Sequence, residues 1–178
     1  MIPAISILVI TNLLVHKLIF ASYIRKGMNL RSYSRDDLTD LVNLEKQAFG
    51  EAAYSKRMLK VMFESPRSIC FIAEGENRIL GYICALPLTR EEADIESIAV
   101  DPRSQRSGLG TLLFDKMETE LISRGFREIV LEVRENNTQA LNFYRKRGFK
   151  VTEYLSAYYK IPVAGTRNAY RMRKFLDS

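Results

Sequence analysis

The chain carries two stretches whose residue types and spacing could do chemistry. The first is the loop Gln105-Arg106-Ser107-Gly108-Leu109-Gly110, set between the apolar run Ile95 to Val100 and a helical pattern at Leu109, Leu113, Met117 and Leu121. The first N–H groups of a helix have no partner inside it, and the helix dipole makes that end positive, so this junction is a ready anion site. Gly108 and Gly110 remove the side chains that would keep a phosphate away, and Arg103 and Arg106 add positive charge. The ordinary alternative is a capped helix after a loose turn. The loop has neither the Gly-Lys-Ser/Thr ending of a P-loop nor a Gly-x-Gly-x-x-Gly turn.

The second is a set of carboxylates. Glu132 falls mid-strand among apolar residues in Glu128 to Arg134, where burial would raise its pKa toward that of a useful base. Its alternative is a salt bridge with Arg134, two residues along on the same face. Asp94 and Glu96 point to one side of the preceding strand and could act through a water; the alternative is solvation where that strand begins, an even choice for Glu96 and the preferred one for Asp94.

These residues must be held by a fold, and 178 residues suit one domain with a sizeable core; the apolar 47% and charged 27% are ordinary for a globular protein. The net charge of +6 is compatible with a polyanionic ligand, nucleic acid, ribosomes or membranes, and separates them poorly. His16 is the only histidine, which excludes a multi-histidine metal site and a histidine triad in the main domain. Cys70 and Cys84 fall in apolar strand patterns and are expected to be two buried thiols.

Residues 1–27 form an apolar leader interrupted by Lys17, with no basic start and no small-residue cleavage site. It is expected to be upstream sequence ahead of a true start at Met28, an added helix, or a weak membrane anchor. A domain over 28–178 follows. Ser34-Arg35-Asp36-Asp37 resembles a capping box before a helix through Leu41, Leu44 and Phe49, and Ser55 caps a second helix ended by Pro66. Ile69–Glu74 and Ile79–Leu86 flank a hairpin turn, with Gly81 marking a bulge or a close backbone approach. Gly125 ends the helix after the glycine loop, Asn137 caps a helix ended by Gly148, and Val151–Tyr159 and Ala169–Phe175 are the last strands.

The string Gln-x-x-Gly-x-Gly after Ile-Ala-Val-Asp-Pro resembles the acetyl-CoA motif of the GNAT family of N-acetyltransferases. The element order β-α-α-β-β-β-α-β-α-β-β is that family's, and the resemblance covers about residues 29–176. It implies an α/β fold with a mixed, mostly antiparallel central sheet and flanking helices. Leu131-Glu132-Val133-Arg134, Asn137-x-x-Ala140, Tyr144 and Gly148-Phe149, with Tyr158-Tyr159 near the end, resemble the branch that holds RimI and the archaeal protein N-terminal acetyltransferases.

By that resemblance Ile98, Ala99 and Val100 face the cofactor arm. Gln105, Arg106, Ser107, Gly108, Leu109, Gly110 and Thr111 hold the pyrophosphate, and Asn137, Ala140 and Tyr144 touch the cofactor. Tyr144 is the expected acid at the leaving sulfur, with Glu132 or Glu96 as base; from spacing alone it reads as a core tyrosine. Phe49, Tyr54, Asp94, Tyr158 and Tyr159 are expected around the substrate, although the loop from Phe49 to Tyr54 lacks the family's usual proline.

The activity implied is acetyl transfer from acetyl-CoA, without a metal, to the α-amine of polypeptide N-termini in the cytoplasm, a ribosomal protein included. Such an amine has a pKa of ~8 and needs only a modest base, where a lysine amine at ~10.4 needs much more. The rivals are a small-molecule or polyamine acetyltransferase, a non-catalytic acetyl-CoA-binding module, and a ribosome- or RNA-surface binder resting on Arg145-Lys146-Arg147 and Arg171, Arg173 and Lys174. Those cations read first as solvated faces, so no specific nucleic acid is expected.

Overall fold

The computed structural model of the chain describes residues 27–75 and 77–176. Apart from Gly27, the apolar leader lies outside the described residues. In order come β1 (Asn29–Ser32), α1 (Leu38–Phe49), α2 (Lys56–Glu64), β2 (Ile69–Gly75), β3 (Arg78–Pro87), β4 (Glu92–Val100), α3 (Leu109–Ser123), β5 (Glu128–Arg134), α4 (Thr138–Lys146), β6 (Lys150–Leu155) and β7 (Ala169–Phe175). This is the expected order.

Local chemistry sets the helix ends. Asp37 accepts from the Ser34 N–H at 2.7 Å while pairing with Arg31, which starts the turn into α1. Ser55 Oγ accepts from the Met58 N–H at 3.3 Å to start α2. Asn137 Oδ1 accepts from the Ala140 N–H at 3.0 Å to start α4. Gly125 and Gly148, at φ +86° and +88°, close α3 and α4 as left-handed residues.

The strands form one sheet in the order β1-β2-β3-β4-β5-β7-β6. One face packs on α3 and α4 through Ile83, Ile95, Leu113, Phe114, Ile129 and Met172. The other packs on α1 and α2 through Leu41, Leu59, Phe63, Ile72 and Tyr82. Each such side chain contributes ~1.5–3 kcal/mol when fully buried, so both helix layers are held firmly to the sheet.

The break in this regularity is what makes the site. β4 and β5 are parallel and pair over Glu92↔Glu128, Ala93↔Ile129 and Asp94↔Val130, after which they part. β4 also carries a bulge: Ala85 faces Ile95 and Cys84 faces Ser97, so Glu96 is the extra residue. A bulge bends its strand and reverses which face the following side chains take. Ala93 and Ile95 accordingly belong to the α3 core, while Ala99 belongs to the α1–α2 core.

Gly81 meets both of its expectations. A Cβ there would lie 2.8 Å from the Ala99 carbonyl oxygen, and the β2–β3 register skips the adjacent Leu80. Two further expectations are corrected. Cys70 and Cys84, opposite one another on β2 and β3, are joined as a disulfide rather than being separate thiols. β6 ends at Leu155, which leaves Tyr158 and Tyr159 in the loop that follows. Among the described residues no helix is long and apolar enough to cross a membrane.

Candidate active site

The gap between β4 and β5 opens into two cavities. The larger, of about 500 Å³, is lined by Ile98, Val100, Gln105, Arg106, Gly108, Gly110, Thr111 and Phe143 among others. The smaller, of about 210 Å³, is lined by Glu45, Tyr54, Glu96, Ser97, Glu132 and Tyr159 among others. Phe49, Ile98, Asn137, Ala140 and Tyr144 line both and so form the partition between them.

The larger cavity is built for an anion. Gly108 takes φ +94°, a left-handed conformation that a side chain would strain, and Arg106 takes φ +57° beside it. The first bond inside α3 runs from the Leu112 N–H to the Gly108 carbonyl at 3.0 Å, so the N–H groups of Leu109, Gly110 and Thr111 precede the helix ladder. A Cβ on Gly110 would come within 3.8 Å of Val100 and 3.9 Å of Phe143, narrowing the floor.

Asp101, 2% exposed, braces the loop from beneath. It accepts from the Arg103 N–H at 2.8 Å and pairs with the guanidinium groups of Arg103 and Arg78; the Arg103 bond does most to hold its carboxyl down to about 2. Arg103 is therefore spent on Asp101 and adds no charge to the anion site, contrary to expectation.

Four of the residues expected at the cofactor have their side chains engaged elsewhere. The Ala99 side chain is buried in the α1–α2 core, and Leu109 is buried under α3, so each can offer only backbone. The Gln105 side-chain amide donates to the Val100 carbonyl at 3.3 Å. Ser107 Oγ donates to the Ser104 carbonyl at 2.6 Å.

The smaller cavity is acidic and aromatic. Glu132 does not pair with Arg134. Its carboxylate accepts from Arg171, directly opposite on β7, at 2.7 Å, and from the Tyr158 hydroxyl at 3.1 Å. Arg134 instead lies 3.8 Å over the Tyr159 ring and donates to the Ile161 carbonyl at 3.0 Å, which holds the tyrosine loop down. Tyr159 in turn donates to the Glu132 carbonyl at 3.3 Å.

Asp94 sits at the apex of the gap, at the last β4–β5 pair. It is not solvated, as the sequence reading preferred: its Oδ1 is buried with no hydrogen-bond partner among the described residues. Burial first, then the charges of Glu132 and Glu96, push its carboxyl up to about 8. Glu96 is raised by burial and by Glu132.

Tyr144, 7% exposed, is held by three rings: Phe143 at 5.3 Å, Phe149 at 5.5 Å and Phe114 at 6.2 Å. Burial pushes its hydroxyl well up, so it keeps its proton. No hydrogen bond to the hydroxyl is found among the described residues, and Tyr144 lines both cavities. Tyr54 and Tyr159 are likewise pushed up to about 12 by burial.

Sequence reasoning missed Glu45. It stands in the second half of α1, on the buried side with Leu41 and Leu44, and lines the small cavity. An acidic residue at core spacing in α1 was the available signal. The basic runs, by contrast, are mostly neutralised: Arg171 by Glu132 and Glu153, Arg173 by Glu128 and Glu92, Lys174 by Glu118, and Arg147 by Asp115 and the face of Phe143.

Residues 37–149 match the family model of the acetyltransferase (GNAT) family. The chain is 38% identical over 101 residues to the ribosomal protein bS18 alanine N-acetyltransferase of Haemophilus influenzae, spanning 56% of this chain and 67% of that one. It is 28% identical over 159 residues to an N-alpha-acetyltransferase of Sulfurisphaera tokodaii, spanning 83% and 92%. The crystal structure of the ribosomal-protein-S18-alanine N-acetyltransferase of Escherichia coli superposes with a TM-score of 0.78 at 26% identity, covering 85% of this chain and 95% of that one.

Proposed function

From the premise that the chain belongs to the acetyltransferase (GNAT) family, we propose that it is a protein N-α-acetyltransferase, taking acetyl from acetyl-CoA to the α-amine of polypeptide N-termini. The observation that carries this reading is the meeting of an anion-binding cavity and an acidic cavity at a partition that includes the buried Tyr144.

The residues at the glycine loop fit the donor. The N–H groups of Gly110 and Thr111, with Arg106, suit its pyrophosphate, and the β4 backbone beyond Asp94 is parted from β5 and suits an extended amide-bearing arm. When bound, acetyl-CoA supplies an acetyl thioester within reach of the partition. Tyr144 holds its proton at Oη and can give it to the departing sulfur.

The acceptor amine arrives as an ammonium ion, which the charges of Glu96 and Glu132 attract. Both Glu132 oxygens are taken up by Arg171 and Tyr158, which leaves Glu96, in the wall of the small cavity, and Asp94 to take the proton. An ordinary carboxylate at ~4 would accept a proton from an α-amine at ~8 only at a cost of ~5 kcal/mol. Asp94 at about 8 accepts it at almost no cost. Removal of the lysine proton at ~10.4 would still be uphill by ~3 kcal/mol, which favours α-amines over side-chain amines.

The Haemophilus relative is named for an alanine of ribosomal protein bS18, and a ribosomal N-terminus in the cytoplasm is the first substrate to try. The test is acetyl-CoA turnover on peptides with varied first residues, bS18 among them, beside an N-terminally blocked lysine peptide and polyamines. Acetylation of free peptide α-amines alone is the expected result. Activity on polyamines alone would make the protein a small-molecule acetyltransferase. Donor binding with no acceptor would make it a non-catalytic module.

A further inference from the structure

Three charged side chains are buried in the described structure: Asp37, Asp101 and Glu45. The first two have arginine counter-ions, Arg31 for Asp37 and both Arg78 and Arg103 for Asp101. Glu45, 1% exposed, has no cationic partner among the described residues. An uncompensated buried carboxylate is costly, so its hydrogen bonds must be well made.

Both of its oxygens accept. The Tyr54 backbone N–H donates to Oε1 at 3.0 Å, and the Tyr82 hydroxyl donates to Oε2. Tyr82 Oη also lies 2.9 Å from Ser97 Oγ. A phenol has one proton, and Tyr82 gives it to Glu45, so Ser97 must be the donor in the second bond. The chain therefore runs in one direction, from Ser97 through Tyr82 to Glu45. It crosses β4, β3 and α1, and through Tyr54 it reaches the loop between α1 and α2. With its proton turned inward to Tyr82, the Ser97 hydroxyl meets the small cavity as a hydrogen-bond acceptor. Ser97 follows the bulged Glu96, so the same chain also fixes the bulge against the Tyr54 wall.

We propose that Glu45, through Tyr82, is a positioning residue that presents Ser97 Oγ as the acceptor for an N–H of the incoming polypeptide and holds Tyr54 against it. This rests on the reading of the protein as a peptide acetyltransferase and adds to it a recognition device built from residues outside the proton-transfer set.

The test is steady-state kinetics on the wild type and on Ser97→Ala, Tyr82→Phe, Glu45→Gln and the Glu45→Gln/Ser97→Ala pair, with melting temperature read alongside. Tyr82→Phe deletes one oxygen in place and keeps the experiment decisive if Glu45→Gln fails to fold. Each single variant should raise KM for the peptide about tenfold, with KM for acetyl-CoA unchanged and kcat within about threefold. The double variant should be no worse than Ser97→Ala alone, because Glu45→Gln keeps an oxygen for the Tyr54 N–H and so acts only through the Ser97 hydroxyl. A fall in melting temperature with the peptide KM unchanged, or additive losses in the pair, would overturn the assignment while leaving the peptide reading intact. A wild type that acetylates no peptide would instead sink that reading and this assignment together.

Discussion

The two cavities on either side of Tyr144 are made in different ways. The anion-binding floor of the donor side is a single stretch of chain, the end of β4, the glycine loop and the first turn of α3, from Ile98 to Thr111, with the end of α1 and α4 as its walls. It works mainly through backbone N–H groups, and side chains there chiefly keep out of the way or brace the turn. The acceptor side gathers Glu45 from α1, Tyr54 from the following loop, Ser97 from β4, Glu132 from β5 and Tyr159 from the loop after β6. It works through side-chain charge and hydroxyls, each oriented by a partner on another element. A site made of backbone can be damaged only by filling it or deforming its turn. A site made of side chains can be dismantled one atom at a time.

That contrast orders the expected effects. Gly108→Glu should be the most severe, since it puts a Cβ on a residue at φ +94° and a negative charge at the anion site. Acetyl-CoA affinity should fall on the order of 10²-fold or more, about 3 kcal/mol, in a calorimetric titration with the fold retained. Unchanged affinity would remove the phosphate from this loop.

On the acceptor side, Asp94→Asn should lower kcat about 10²-fold and flatten its rise between pH 6 and 8, with donor binding unchanged. The same variant carries a stability signature. The Asp94 carboxyl is raised from ~4 in the unfolded chain to about 8 in the fold, so the folded state binds the extra proton between those values. Stability from this group is fully present below pH ~4 and is lost as pH rises through about 8. Asp94→Asn should therefore melt above the wild type at pH 9 and close to it at pH 5. Equal melting curves at both would mean that Asp94 is solvated.

Tyr144→Phe stands on the boundary and should cost about 10- to 100-fold in kcat with both KM values within a factor of ~2, because only the proton at the leaving sulfur is lost. Full activity in that variant would pass the role to solvent. The smallest effect is expected from Arg145→Glu with Lys146→Glu, whose cations lie outside both cavities. Turnover on peptides should stay within about twofold, and a salt-sensitive loss of RNA or ribosome binding in that pair would revive the surface-binder alternative.

The same contrast explains what could be read from the sequence. The element order, the helix caps at Ser55 and Asn137 and the terminating glycines are local, and so is the glycine loop; all stand where the residue types place them. The acceptor side depends on long-range pairing. The partner of Glu132 is Arg171, 39 positions along the chain, whereas strand periodicity points to Arg134. The bulge at Glu96 has no marker in its own residues, yet it reverses the facing of everything after it, which is why Ala99 turns into the core while Ile98 lines the cavity. Asp94 has its Oδ1 buried at the last β4–β5 pair, and that pairing is a fact about sheet order that no window along the chain contains.

One feature of the sheet carries over to the thermodynamics of the whole molecule. β5 is bonded to β7 along seven register pairs and β4 to β3 along nearly all of its length, but the two blocks are stitched to each other by three pairs. The molecule is thus two half-sheets sharing a short seam, and a donor lying in the gap supplies strand-like contacts that the seam lacks. Substrate and structural cement are then one molecule. Melting should shift with donor concentration by linkage, about 2.7 kcal/mol at a hundredfold excess over Kd. The hydrogen-exchange protection gained should concentrate along the parted stretch of β4 beyond the seam, from Ile95 to Val100, rather than in the helices.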